Sequence, residues 1–111
     1  MPFTKPISDQ KKVTKMTREQ ALIRLTQLKP ELIERFGVSS LALFGSTVRN
    51  EATPNSDIDI LVDFNGPASS DRYFGLQFFL EDHLGVMVDL VTEKALRKEL
   101  RPFIEQEAVN V

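Results

Sequence analysis

Asp57 and Asp59 stand one residue apart in the segment "SDIDILVDF", which alternates apolar and acidic residues. In a strand, residues i and i+2 project from the same face, so the two carboxylates sit with Cα atoms roughly 6 to 7 Å apart. Each raises the other's pKa, and a divalent cation removes that penalty by holding both ionised. The chain has no cysteine and one histidine, His83. All-oxygen ligation favours a hard ion, Mg²⁺ or Mn²⁺. Asp89, in the middle of "VMVDLVT", joins the pair if its strand lies beside the first. Three carboxylates then suffice for two-metal phosphoryl transfer, with one ion activating the attacking oxygen and the other supporting a triphosphate. The same D-x-D pattern also describes an ordinary solvated strand face. Asp63 shares the parity of the pair and is read as facing solvent.

Gly45 and Ser46 lie upstream of the acids. A glycine at a strand end lets backbone amides approach a ligand. A serine starting the next short helix offers a hydroxyl and free N–H groups to phosphate oxygens. An ordinary N-cap is the alternative role for Ser46.

The elements that must position these residues follow from periodicity. Thr17 and Gln20 form a capping box before Ala21, Leu22, Leu25 and Leu28 at helical spacing. Pro30 interrupts that helix or starts the next, which Gly37 closes. "VSSLALF" (38–44) is a strand, and "DIDILVDF" (57–64) a second one. In the latter Ile58, Ile60, Val62 and Phe64 form the dry face, opposite Asp57, Asp59, Leu61 and Asp63. "YFGLQFFLEDHLG" predicts a helix, residues 86–92 a third strand, and residues 93–108 a final helix. This order gives a small α/β domain whose helices cover one face of the sheet while the acids stand on the other. Residues 1–15, with two prolines, four lysines and no apolar period, read as a flexible leader to a domain spanning 16–111.

Composition excludes several classes. With 111 residues there is room for one domain. Fourteen basic against 16 acidic residues leave no overall positive field for nucleic acid. No run approaches the roughly 20 apolar residues that span a bilayer, and no secretory segment is visible, so a cytoplasmic location is expected and a membrane partner is not. The lack of cysteine rules out disulfides and thiolate chemistry. Tyr73, Phe74, Phe78 and Phe79 fit core and helix-face positions. His83 suits a helix C-terminus. Lys94, at the end of the third strand, is set aside as a nucleotide contact, and Ser56 supports the loop before Asp57 rather than touching substrate.

Gly45-Ser46, ten intervening residues and Asp57-Ile58-Asp59 make up the G-S-x10-D-x-D signature. The chain thereby resembles the DNA polymerase beta nucleotidyltransferase superfamily, with Asp89 where that family's third carboxylate is expected. More closely, "LALFGSTVRNEATPNSDIDILVDF" with "GVMVDLVTEKAL" is similar to the minimal nucleotidyltransferases, the MNT antitoxins paired with HEPN toxins in bacteria and archaea. The likeness covers residues 17–111. It implies a polymerase beta-like fold with a small mixed β-sheet, and transfer of a nucleoside monophosphate from a triphosphate to a hydroxyl. Gly45 and Ser46 would hold the triphosphate, Asp57, Asp59 and Asp89 the Mg²⁺ or Mn²⁺, and Asp89 would help deprotonate the acceptor. Arg49 matches a basic position of the G-S-x-x-R segment and would contact phosphate, or else pair with Glu51. Where the family often has glycine after that arginine, this chain has Asn50, which tolerates the left-handed conformation better than most residues.

The resemblance further implies ATP as the donor and, as acceptor, a tyrosine of a HEPN ribonuclease toxin, silenced by AMP. Two other functions fit the same residues: an antitoxin that acts by binding alone, and a nucleotidyltransferase for a small molecule such as an aminoglycoside. The latter lacks a visible acceptor-binding domain.

Overall fold

The computed structural model describes residues 16–49 and 57–111. The leader expected over residues 1–15, and the roles expected of Asn50, Glu51 and Ser56, fall outside these residues. Helix α1 (Arg18–Phe36) starts at the capping box. The Thr17 hydroxyl accepts from the Gln20 N–H at 3.1 Å, and the Gln20 side chain accepts from the Thr17 N–H at 3.0 Å. The helix runs unbroken through Pro30, where the sequence predicted an interruption or a new start. Pro30 and Thr26, whose carbonyl loses its donor to the proline ring, are both exposed, so water can take the vacant bond. Gly37 ends the helix in the left-handed region at φ 69°, with its N–H directed to the Ile33 and Leu32 carbonyls.

Strand β1 (Val38–Phe44) leads into a 3-10 turn, Gly45–Thr47. Strand β2 (Ile58–Phe64) is followed by helix α2 (Ser70–Leu84), capped by Ser69, and strand β3 (Val88–Thr92). A second 3-10 turn, Glu93–Ala95, precedes helix α3 (Arg101–Glu107) and strand β4 (Val109–Asn110). The sheet is mixed, in the order β3-β2-β1-β4: β1 is antiparallel to β2 and β4, and β2 is parallel to β3.

The final helix predicted over 93–108 is therefore broken up. The Thr92 hydroxyl accepts the Ala95 N–H and closes a turn, and Arg101 bridges back to Glu93 at 2.9 Å. β4 has two residues, too few for an alternating pattern to register in the sequence.

The main core lies between the sheet and the two long helices. Ile58, Ile60, Val62 and Phe64 of β2 pack with Val88 and Leu90 of β3 under Leu25 and Leu32 of α1 and Leu76 and Leu80 of α2. Each fully buried side chain of this kind contributes about 1.5–3 kcal/mol of transfer free energy. The opposite face is not uniformly wet. Ala42, Phe44, Leu61 and Leu96 form a second, smaller cluster with Val91 of β3 and Ile104 and Ala108 at α3. Leu61, grouped with the acids by parity, is 3% exposed. Of the aromatics assigned to core and helix-face positions, Tyr73 and Phe79 pack against the core, while Phe74 and Phe78 are exposed on α2. Among the described residues no helix is long and apolar enough to cross a membrane.

Candidate active site

The sheet register decides which acids meet. Phe44 of β1, Asp59 of β2 and Asp89 of β3 are direct cross-strand partners and form one row on the face away from the long helices. The next row along that face is Ala42, Leu61 and Val91. Adjacent strands lie about 4.8 Å apart, which places the Asp59 and Asp89 carboxyls within reach of one another. The two side chains are hydrogen bonded, and the Asp59 carboxyl is pushed up to about 6 from an ordinary 3.8. Burial is the largest cause, followed by the charge of Asp89, the hydrogen bond to it and the charge of Asp57, while Arg49 pulls the other way.

Gly45 completes this corner. Its φ is 80°, and a Cβ built on it would lie 2.1 Å from Oδ2 of Asp59 and 2.9 Å from its Cγ. The carboxyl therefore presses directly on the turn backbone, and no residue with a side chain fits there. The Gly45 carbonyl accepts from the Val48 N–H at 3.1 Å and the Arg49 N–H at 3.4 Å, which holds the turn closed. Ser46 is partly exposed on this turn.

The other sequence candidates are distributed around the pair. Asp57 is exposed and precedes the strand, contributing charge to Asp59. Asp63, partly buried, lies four residues along β2 from Asp59, about 13 Å away, and is remote from the pair. Arg49 forms an ion pair with Glu107 of α3 at 2.6 Å. Lys94 is exposed in the second 3-10 turn. His83, in the last turn of α2, places Nδ1 2.9 Å from the Phe79 carbonyl and stacks on the Phe79 ring.

Among the described residues no group of three His, Cys, Asp or Glu side chains is gathered into a ready metal site. The chemistry of the donors nevertheless fits a hard divalent cation. Two carboxyls share one hydrogen bond across neighbouring strands, a third adds charge, and the partly buried member ionises less readily than an ordinary carboxyl, a cost that a cation would offset.

Two residues escaped the sequence reading. Thr47, 1% exposed, carries a buried hydroxyl with no hydrogen-bond partner among the described residues. Nothing in its sequence context distinguishes it. Tyr73 read as a core aromatic, yet its hydroxyl donates to the Leu90 carbonyl next to Asp89. Its pKa is raised by burial and then by the charge of Asp89. A tyrosine one helical turn from Gln77 was the available signal.

A mixed sheet that pairs two acids and presses one of them on a glycine turn suits nucleotidyl transfer, and the comparisons agree on that class. Residues 25–111 match the nucleotidyltransferase domain model, and the chain belongs to that family. It is 43% identical over 96 residues to the protein adenylyltransferase MntA of Thermococcus cleftensis, covering 86% of this chain and 97% of the relative. A protein of Methanocaldococcus jannaschii named for the same activity is 39% identical over 88 residues, covering 78% of this chain and 90% of the relative. A solved minimal nucleotidyltransferase superposes with a TM-score of 0.75 at 34% identity, covering 86% of this chain and 97% of the other. An MNT antitoxin in complex with a tri-AMPylated HEPN toxin of Shewanella oneidensis has the same fold, with a TM-score of 0.61 at 20% identity over 85% of this chain and 71% of the other.

Proposed function

We propose that the protein is an antitoxin that transfers AMP from ATP to a tyrosine hydroxyl of a HEPN ribonuclease toxin, and so neutralises it. The observation that carries this reading is the Asp59–Asp89 pair held against Gly45, in a chain 43% identical to a protein adenylyltransferase. Asp57, Asp59 and Asp89 would hold Mg²⁺ or Mn²⁺, which when bound neutralises the triphosphate and the charge developing on it.

The chain's own groups do the rest. Gly45 lets the turn backbone approach phosphate oxygens, and the Ser46 hydroxyl donates to them. Asp89, exposed on the edge strand, accepts the proton of the acceptor hydroxyl. The hydroxyl oxygen forms a bond to the α-phosphorus, the bond from that phosphorus to the bridging oxygen breaks, and pyrophosphate leaves. Arg49 contacts phosphate after exchanging its Glu107 partner. A folded partner docked beside the acids supplies the orientation of the acceptor.

The test is to incubate the protein with ATP, Mg²⁺ and the product of the neighbouring gene, and to weigh that partner by mass spectrometry. A gain of one or more AMP units is expected, and an unchanged mass overturns the reading. Neutralisation by binding alone is separated by Asp57→Asn with Asp59→Asn in a toxicity rescue assay, where catalysis requires that rescue be lost while complex formation persists.

A further inference from the structure

Asp89 sits on β3, a five-residue strand at the edge of the sheet. Its inner side is held by β2 through the register from Ile58 opposite Val88 to Val62 opposite Thr92. Within a strand, the N–H and C=O of one residue point to the same edge and alternate from residue to residue. Val88 and Leu90 therefore turn their backbone groups outward, away from β2, on either side of Asp89.

Three of those four outward groups are met by side chains of α2 spaced one turn apart. The Tyr73 hydroxyl donates to the Leu90 carbonyl. Gln77 Nε2 donates to the Val88 carbonyl at 3.2 Å. Glu81 Oε2 accepts from the Val88 N–H at 3.0 Å. Three positions of one helix thus form a ladder that substitutes for a missing fifth strand. An uncovered edge would leave these groups to water or to another chain, and the ladder adds a second hold to a strand that β2 pairs on one side only.

We propose that Tyr73, Gln77 and Glu81 are positioning residues which, by clamping the backbone on both sides of Asp89, hold its carboxyl opposite Asp59 for metal and nucleotide. This rests on the reading of Asp89 as a site carboxylate. The ladder acts through the strand and touches neither substrate nor metal. Its expected signature is a change in how the acids bind a cation, with the stability of the fold affected less. Groups that orient metal ligands typically change metal affinity by about 10- to 100-fold when removed.

The experiment uses the full chain with Tyr73→Phe and Gln77→Met, each of which deletes a donor at similar volume. Asp89→Asn serves as a benchmark, and Phe78→Ala, at an exposed position of the same helix, as a control. Mn²⁺ is titrated by electron paramagnetic resonance in the presence of AMP-PNP, thermal midpoints are recorded without metal, and hydrogen exchange is followed at the Asp89 and Val91 amides. The proposal expects Mn²⁺ affinity to fall about tenfold in each ladder variant, with faster exchange at both amides and no change in Phe78→Ala. If Tyr73→Phe fails to fold, Gln77→Met decides. Lowered thermal midpoints with wild-type Mn²⁺ affinity would reduce the ladder to edge cover and overturn the proposal. Wild-type Mn²⁺ affinity in Asp89→Asn would overturn the reading of Asp89 itself.

Discussion

The two faces of the sheet are built from the same strands and serve opposite ends. On the face covered by α1 and α2, Ile58, Ile60 and Val62 are at most 2% exposed and meet leucines that are wholly buried. On the other face the rows read Phe44, Asp59, Asp89 and then Ala42, Leu61, Val91. The second row is covered by Leu96 and α3, while the first keeps two carboxyls together where one of them resists ionising. The first face stores stability. The second gives some of it up to keep charges in a place where a cation and a phosphate chain would be welcome.

The contrast is broken most directly by activity. Asp59→Asn should lower AMP transfer at least ~10³-fold, about 4 kcal/mol in the barrier, when the partner's mass is followed over time. A residual rate above roughly a hundredth of wild type, about 2.7 kcal/mol, would show that the acid row is not the reacting site. On the helix-covered face, Leu80→Ala should destabilise the fold by about 3 kcal/mol in urea unfolding, with a cavity left between α2 and the sheet. Leu96→Ala, in the smaller cluster, should cost about half as much, since fewer buried neighbours close over it. Equal costs at Leu80 and Leu96 would mean that the two faces are equally packed.

The charge penalty is checked by pH. The Asp59 carboxyl titrates near 6 in the folded chain, above its ordinary 3.8, so folding favours the protonated form. That contribution is complete below about pH 4 and is lost as pH rises through 6. In metal-free buffer Asp59→Asn should therefore stabilise the chain by about 1 kcal/mol at pH 7.5, a figure kept small because solvent screens a half-buried group. The gain should vanish near pH 4 in paired thermal melts. Smallest of all, Thr47→Val should raise stability by up to about 1 kcal/mol, since it removes a buried hydroxyl that has no partner among the described residues. A loss of stability instead would show that this hydroxyl is bonded in solution.

Much of this arrangement could be read in one dimension. The Thr17–Gln20 box, the Gly37 cap and the alternation of β2 are local, because helix ends and strand faces depend on residues a few positions apart. Pro30 misled because its effect depends on whether the carbonyl it strands is exposed, which is set by how α1 lies on the sheet. Leu61 and Leu96 were hidden because the turn at Thr92 folds α3 back over half of the acid face.

By itself the sequence determined the chemical inventory: the candidate carboxylates Asp57, Asp59 and Asp89 in a chain without cysteine, a glycine-serine turn, and strands of the right parity, since residue type and a two-residue period need no neighbours. Tertiary structure alone decided that Asp59 and Asp89 share a row, that the Asp59 carboxyl fills the space a Gly45 side chain would need, and that α2 closes the edge of β3. Those outcomes depend on strand order and register, which arise from burying one apolar face against two helices and are encoded in no single segment.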